Sequence, residues 1–167
     1  MMSRPGHARP VATAAIAVFS AFGIGAIGAL VTQLGPWYFA LAKPAWQPPD
    51  WLFGPAWTLI FALAALSGAL AWRGAVTRAE RVRFIGAFAL NAVLNIGWSW
   101  LFFRAHRPDW ALAEVALLWL SIVAMIVAVA PLSKAAGWLL APYLAWVTFA
   151  AFLNWTIVRL NGPFPGS

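Results

Sequence analysis

The sequence predicts an all-α membrane protein: a bundle of five transmembrane helices, with a loop rich in proline and tryptophan between helices 1 and 2. The first observation is composition, because 63% of the 167 residues are hydrophobic and only 9% are charged, whereas soluble domains are about half apolar and a quarter charged. The second is a series of five long apolar segments, each close to the roughly 20 residues that a helix needs to cross a bilayer. These segments lack the alternating pattern of membrane β-strands.

The first predicted span, 11–31, follows a basic N-terminal tail of residues 1–10. Its 21 uncharged residues exceed the roughly 7–15 residues of a signal-peptide core, so we interpret it as a retained span. Short polar connectors separate the other predicted spans, which cover 51–72, 84–103, 110–130 and 138–158. One transmembrane domain, 11–160, is therefore expected, followed by a C-terminal tail of residues 161–167.

The charge distribution predicts orientation rather than nucleic-acid binding. The net charge is +7, but the basic residues are scattered among the connectors and form no aromatic-interleaved patch, so no nucleic-acid partner is expected. Seven of the eleven Lys and Arg fall on the N-terminal side of the predicted bundle and four on the other. Since basic residues favour the cytoplasmic side, we expect a bacterial cell membrane with the N-terminus inside and the first loop outside.

Several kinds of chemistry are not expected. The chain has no cysteine, which excludes disulfides, thiol nucleophiles and Cys-ligated metals. His7 and His106 lie outside the predicted spans, which argues against an axially ligated haem within the bundle. The sequence contains no recognisable triad, carboxylate pair or metal site. We therefore predict no catalytic residue, no metal site and no required cofactor.

The stretch "KPAWQPPDWLFGPAW", Lys43 to Trp57, holds four prolines and three tryptophans. Proline fixes φ and restricts the residue before it, so the loop is stiff before it binds anything. Pro55 is expected in the first turn of the second helix. An aromatic belt at the membrane interface is the alternative explanation, but it does not explain why the aromatics are concentrated in a proline-braced connector. We favour a lid over the bundle, composed of Lys43, Pro44, Trp46, Pro48 and Pro49.

Polar side chains in the third and fifth helices are candidates to lie beneath that lid. Asn91 and Asn95 are four residues apart and share a helical face, with Trp98 one turn further along. Two interpretations stay open: hydrogen bonds between helices, or contacts to a ligand. In the fifth helix Trp146 and Ala150 share a face, while Pro142 should bend the helix.

Glu114 is the only carboxylate within a predicted span. An acid inside a membrane is a functional candidate by default. We favour a structural role, in which Glu114 reaches the headgroup region or pairs with an arginine such as Arg104 or Arg107. In the first helix, a face of small residues suits close contact between two helix backbones. Its members are Ala21, Gly25 and Ala29. We expect it to form a homodimer interface, with intramolecular packing as the alternative.

The chain resembles the translocator protein family, also called tryptophan-rich sensory proteins (TspO/MBR). The stretches that carry the resemblance are "WYFALAKPAWQPPDWLFGPAWT", the Asn-x-x-x-Asn of helix 3, "DWALAEVALL" and "PYLAWVTFAAFLNWTIVRLN". Together they place the similarity over roughly residues 16–161. The resemblance implies a five-helix bundle, usually dimeric, with a pocket beneath the first loop. It also implies binding of porphyrins such as protoporphyrin IX.

The resemblance further implies which residues line the pocket. They are Tyr38, Trp51, Trp57, Asn91, Asn95, Trp98, Trp146 and Ala150. Trp57 and Asn95 match the family's polar contacts to bound ligand. The animal cholesterol motif is incomplete here, because Trp155 stands where its tyrosine would be, with Arg159 in the basic position. A sterol is therefore only a secondary candidate partner.

The leading functional hypothesis is a membrane protein that binds tetrapyrroles, for sensing, sequestration or transport. A flat macrocycle suits aromatic walls with a few donors, which the indole of Trp57 and the two carboxamides could supply. A light-dependent porphyrin-degrading enzyme is the second hypothesis, and product analysis under illumination would distinguish it. A transporter is the third, although paired repeats are not evident; flux measurements in proteoliposomes would test it.

Overall fold

The computed structural model describes residues 34–164, and this part of the chain is helical without any strand. Four of its helical segments are long and apolar enough to cross a membrane: Asp50–Gly74, Arg78–Arg104, Pro108–Val129 and Lys134–Asn161. Each corresponds to one of the four predicted spans from 51–72 onward. The predicted first span, with the dimer-interface residues Ala21, Gly25 and Ala29, lies outside the described residues.

The helices are numbered here in chain order. They are α1 (Pro36–Ala40), α2 (Asp50–Gly74), α3 (Arg78–Ser99), a π-helical turn (Trp100–Arg104), α4 (Pro108–Val129), α5 (Lys134–Leu139) and α6 (Ala141–Asn161). The long connector between α1 and α2 covers residues 41–49 and contains the predicted lid.

The start of α3 lies six residues before the predicted boundary at residue 84. Thr77 and Glu80 explain the difference, because together they form a capping box. The backbone N–H of Glu80 donates to the Thr77 hydroxyl at 3.2 Å, and the N–H of Thr77 donates to the Glu80 carboxylate at 2.9 Å. Two of the helix's unpaired N–H groups are thereby satisfied, so the helix begins in the polar connector rather than at the first apolar residue.

The start of α2 changes the expected position of Pro55 in that helix. Pro55 was expected in the first helical turn, but α2 begins at Asp50, so Pro55 lies inside the helix as its sixth residue. Asp50 in the first turn favours this earlier start, because a negative charge stabilises a helix N-terminus. A proline at this position cannot donate to the carbonyl of Trp51 four residues earlier.

The last predicted span is interrupted at Leu140, two residues before Pro142. The N–H of Leu140 turns back to the carbonyl of Gly137 at 3.1 Å, which separates the short helix α5 from α6. The carbonyl of Ala136 instead accepts a hydrogen bond from the buried Ser67 hydroxyl of α2 at 2.8 Å. The bend predicted from Pro142 is therefore a break between two helices.

Helix α4 lies at the centre of the described bundle and packs most extensively against α3 and α6. Its buried stripe includes Ala111, Val115, Leu118 and Ile122. Asn154 of α6 places its buried carboxamide at the first turn of α4, in the orientation that satisfies both of its polar atoms. The carboxamide donates to the carbonyl of Pro108 at 3.0 Å and accepts from the N–H of Leu112 at 3.1 Å. Three helices are thus fixed together around the candidate site.

Candidate functional site

A polar network connects three helices in the middle of the bundle, with the Tyr143 hydroxyl of α6 as its centre. This hydroxyl donates to Oδ1 of Asn91 and accepts from Nδ2 of Asn95, both at 3.1 Å. Nδ2 of Asn91 donates to the hydroxyl of Ser121 on α4 at 2.9 Å, and that hydroxyl donates to the carbonyl of Leu118 at 2.7 Å. Tyr143 is only 2% exposed, so the network is shielded from solvent.

The network bears on the two interpretations of Asn91 and Asn95. Both polar atoms of Asn91 are engaged by neighbouring helices, as the interhelical interpretation requires. Asn95 is engaged through its amide nitrogen. A ligand that contacts either carboxamide has to share or replace these bonds. Tyr143 is not among the predicted site residues. The available signal was a tyrosine inside an apolar span, whose hydroxyl needs a partner.

Aromatic rings surround Trp146 on the side of α6 that faces α2. Phe53 and Trp57 of α2 approach it edge-on, with ring centroids at 5.7 and 6.5 Å. Trp57 also stacks on Phe61 at 5.3 Å and approaches Tyr143 edge-on at 5.9 Å. The predicted site residues Trp57 and Trp146 are therefore brought together, beside the polar network.

One atom in this aromatic group stands out. The indole N–H of Trp146 is buried and has no hydrogen-bond partner among residues 34–164. Buried N–H groups are nearly always paired, and leaving one unpaired costs about 1–3 kcal/mol. The sequence predicted Trp57 as the indole donor, whereas the unpaired N–H in the structure belongs to Trp146.

The lid lies on α6, above the same aromatic group. Trp46 stacks on Phe152 with centroids 5.2 Å apart and meets Phe149 edge-on at 6.0 Å. Phe149 in turn lies 5.6 Å from Trp146. Rings in van der Waals range therefore connect the lid to the candidate pocket, with half-buried Ala150 next to Phe149 on α6.

The two ends of the loop meet at Asp50, where four side chains form a compact polar group. The Tyr38 hydroxyl donates to the Asp50 carboxylate at 2.7 Å, and the Gln47 amide donates to it at 3.1 Å. The Lys43 ammonium lies 3.9 Å from that carboxylate and 3.5 Å from the centre of the Tyr38 ring. Burial, together with the Asp50 carboxylate, raises the pKa of Tyr38 well above its usual value. Tyr38 therefore stays a neutral donor and braces the lid.

The prolines of the lid differ in their surroundings. The carbonyl of Pro44 accepts from the N–H of Gln47 at 3.0 Å and closes a turn. Pro48 is half-buried, while Pro49 is exposed and directly precedes α2, where its carbonyl accepts from Leu52 at 2.9 Å. The loop thus enters α2 through a proline that has no N–H of its own to satisfy.

Two other predicted pocket residues, Trp51 and Trp98, differ in their surroundings. Trp51 is 71% exposed on the surface of α2. Trp98 stacks on Phe102 at 5.3 Å and packs beside the loop-side cluster of buried residues that contains Tyr38 and Leu153. It also packs against the buried cluster that contains Tyr143, as Trp57 and Trp146 do. Trp51 is placed as an interfacial aromatic would be, and Trp98 supports the end of α3.

The expected pairing of Glu114 with Arg104 or Arg107 is wrong. Both carboxylate oxygens of Glu114 are buried, and neither accepts a hydrogen bond from the described residues. The carboxyl instead lies against α3, with Oε1 3.9 Å from where a Cβ atom on Gly97 would stand. Arg107 pairs with Asp109 at the start of α4, its Nε donating at 2.8 Å. Glu114 projects inward between helices, beyond the reach of an ion pair at the membrane edge.

Comparison with known proteins agrees with the sequence motifs and the helical fold. The model of the TspO/MBR family matches residues 15–160. The chain belongs to the TspO/MBR family. It is 38% identical over 155 residues to the tryptophan-rich protein TspO of Chlorobaculum tepidum, an alignment that covers 92% of this chain and 98% of the relative.

Similar proteins occur in other domains of life. The tryptophan-rich protein TspO of Archaeoglobus fulgidus is 36% identical over 86% of this chain and 94% of its own length. The human translocator protein is 35% identical over 78% of each chain. Membership of the TspO/MBR family and the four long apolar helices together identify an integral membrane protein.

Proposed function

We propose that this TspO/MBR protein binds a tetrapyrrole such as protoporphyrin IX in the bundle, beneath the lid, for sensing, sequestration or transport. The observation that carries the proposal is the buried N–H of Trp146, which has no hydrogen-bond partner among the described residues and lies among the rings of Phe53, Trp57 and Phe149. Small-molecule sites are mostly apolar and aromatic, with a small number of placed polar groups. A flat ligand that presents an acceptor to this N–H would satisfy it.

The chemistry of the ligand follows from these neighbours. A porphyrin offers a wide aromatic face to the tryptophan and phenylalanine rings and peripheral carboxylates as acceptors for an N–H donor. Protoporphyrin IX needs no axial ligand, which suits a site whose nearby polar groups include the side chains of Trp146, Tyr143, Asn91 and Asn95. A sterol has a single hydroxyl and no aromatic face, so it is the weaker candidate.

Quenching of tryptophan fluorescence in purified protein tests the proposal. Titration with protoporphyrin IX, haem and cholesterol should give saturable quenching with protoporphyrin IX at the lowest ligand concentration. Trp146→Phe keeps a large ring but removes the N–H, so affinity should fall roughly 2- to 12-fold, the equivalent of about 0.5–1.5 kcal/mol. Trp138→Phe is the matched control, because Trp138 is 78% exposed on α5. Equal affinity of the two variants would refute the role of Trp146.

We also propose a fifth span at 11–31, which gives a five-helix bundle with a cytoplasmic N-terminus in a bacterial cell membrane. The support is the charge count, seven basic residues against four. Topology reporters fused before Ser3 and after Ser167 should report opposite sides of the membrane. A C-terminal reporter on the cytoplasmic side would reverse this orientation.

A homodimer is the last part of the proposal, with contacts through the small-residue face of Ala21, Gly25 and Ala29. Gly25→Leu would prevent close approach of two such faces. The dimer fraction, measured in detergent and in lipid, should fall in this variant. An unchanged dimer fraction would exclude this face as the interface.

A further inference from the structure

The side chain of Asn161, the last residue of α6, holds the loop immediately before the lid. Its Oδ1 accepts a hydrogen bond from the backbone N–H of Ala42 at 2.7 Å, and its Nδ2 donates to the carbonyl of the same residue at 2.8 Å. Both backbone groups of Ala42 are therefore bound by one side chain, 119 residues away in sequence.

Few side chains can make this contact. A carboxamide carries an acceptor and two donors in one plane, so it can pair with the N–H and C=O of one residue as a neighbouring strand would. The second N–H of Asn161 donates to the carbonyl of Ile157 at 2.9 Å. That carbonyl lies one helical turn before Asn161 in α6. The bond fixes the orientation of the side chain toward Ala42.

The position of Ala42 gives this contact its importance. The lid residues Pro44, Pro48 and Pro49 have no N–H to donate, so the lid has few backbone bonds of its own; one joins Gln47 to Pro44. Its other attachment to α6 is the stacking of Trp46 on Phe152. The lid is thus fixed at both points to the helix that carries Trp146.

We infer that Asn161 is a positioning residue that latches the lid to α6 and thereby sets how fast a ligand enters and leaves the site. This inference rests on the proposed ligand-binding function. Because the latch joins the lid to the bundle rather than to the ligand, it stabilises the closed lid with and without ligand. Its removal should therefore accelerate both association and dissociation, while the affinity changes less than either rate.

Stopped-flow fluorescence with protoporphyrin IX tests the latch. Asn161→Ala loses two bonds to Ala42, each equivalent to roughly a 2- to 12-fold change. Dissociation should accelerate roughly 5- to 150-fold, with faster association as well. Thr156→Val is the control on the same helix, because its hydroxyl donates only within α6, to Phe152 at 2.9 Å. Dissociation from Asn161→Ala that stays within about twofold of this control would overturn the inference.

A purely structural role for Asn161 predicts a different pattern. In that case Asn161→Ala would lower the melting temperature and the affinity without accelerating association, and this result would also overturn the inference. If the parent protein shows no saturable quenching by protoporphyrin IX, the proposed function fails instead. The latch is then tested by the protease protection of the crosslinked variant described below, which needs no ligand.

The absence of native cysteines permits a second test of the latch. The double variant Ala42→Cys with Asn161→Cys places one thiol on each side of this contact, so that oxidation to a disulfide would join the lid to α6 covalently. The disulfide should protect the lid from protease in the absence of ligand and slow porphyrin exchange at least tenfold. Reduction should restore fast exchange. A disulfide that leaves protease cleavage and exchange unchanged would contradict the latch.

Discussion

Replacing Tyr143 with phenylalanine removes one hydroxyl from the centre of the polar network and leaves the ring in place. Two hydrogen bonds disappear, those to Asn91 and Asn95, each 3.1 Å long. Hydrogen bonds between membrane helices contribute about 0.6 kcal/mol on average and up to about 1.7. Since Oδ1 of Asn91 is then left without its donor, we expect a loss of about 1–3 kcal/mol in the free energy of unfolding.

Reversible unfolding in mixed detergent micelles measures this loss. The edge-on contact of Tyr143 with Trp57 is kept in the variant, so the change reports the hydroxyl and not the packing. A double-mutant cycle with Asn95→Ala isolates the bond between the two side chains and should give a coupling energy of about 0.6–1.7 kcal/mol.

The opposite result would be informative. If Tyr143→Phe is as stable as the parent and the coupling energy is near zero, the carboxamides of Asn91 and Asn95 do not depend on Tyr143. The interhelical interpretation would then be wrong for Asn95, and ligand contact would be the better explanation of this asparagine in a membrane span.

Three further predictions concern packing, the lid and the buried acid. Gly74→Ala should destabilise the protein by about 1–3 kcal/mol, because its Cβ would lie 2.2 Å from the carbonyl oxygen of Leu132. Gly86→Ala is the control and should be neutral or stabilising, because no described atom lies within 4 Å of its Cβ. Equal melting temperatures of the two variants would refute the close contact at Gly74. Replacing both Pro48 and Pro49 with alanine should restore roughly 0.4–1 kcal/mol of loop freedom per site and weaken porphyrin binding about 4- to 30-fold in fluorescence titrations; unchanged affinity with an unchanged melting temperature would favour the aromatic belt. Glu114→Leu should raise the melting temperature of the ligand-free protein, because it removes buried oxygens that accept no hydrogen bond from residues 34–164. A lower melting temperature would show that the carboxyl is paired in the membrane.

The helical fold and the positions of four spans could be predicted from the sequence because each apolar segment matches the thickness of a bilayer. The boundaries were less accurate where polar residues extend a helix. The capping box of Thr77 and Glu80 starts α3 in a connector, and Asp50 places Pro55 inside α2. The length of an apolar segment does not predict helix boundaries that such polar residues set.

The candidate site was predicted in part. Asn91 and Asn95 were identified as unusual because carboxamides are costly in a span, but their partner Tyr143 depends on how α6 packs against α3. The contact between Asn161 and Ala42 joins residues 119 positions apart, and no local sequence pattern predicts it. The exposure of Trp51 and the unpaired N–H of Trp146 likewise follow from tertiary packing.

The break at Leu140 has a consequence for sequence variation within the family. Once Leu140 turns back to Gly137, the carbonyl of Ala136 has lost its donor within the helix, and hydrocarbon offers no water to replace it. Ser67 supplies the missing donor from α2. Relatives that keep a proline two residues after the break should therefore retain a small hydroxyl residue at the position of Ser67, and those whose last span is continuous should be free to replace it with alanine or glycine. An alignment in which the two positions vary independently would contradict this dependence.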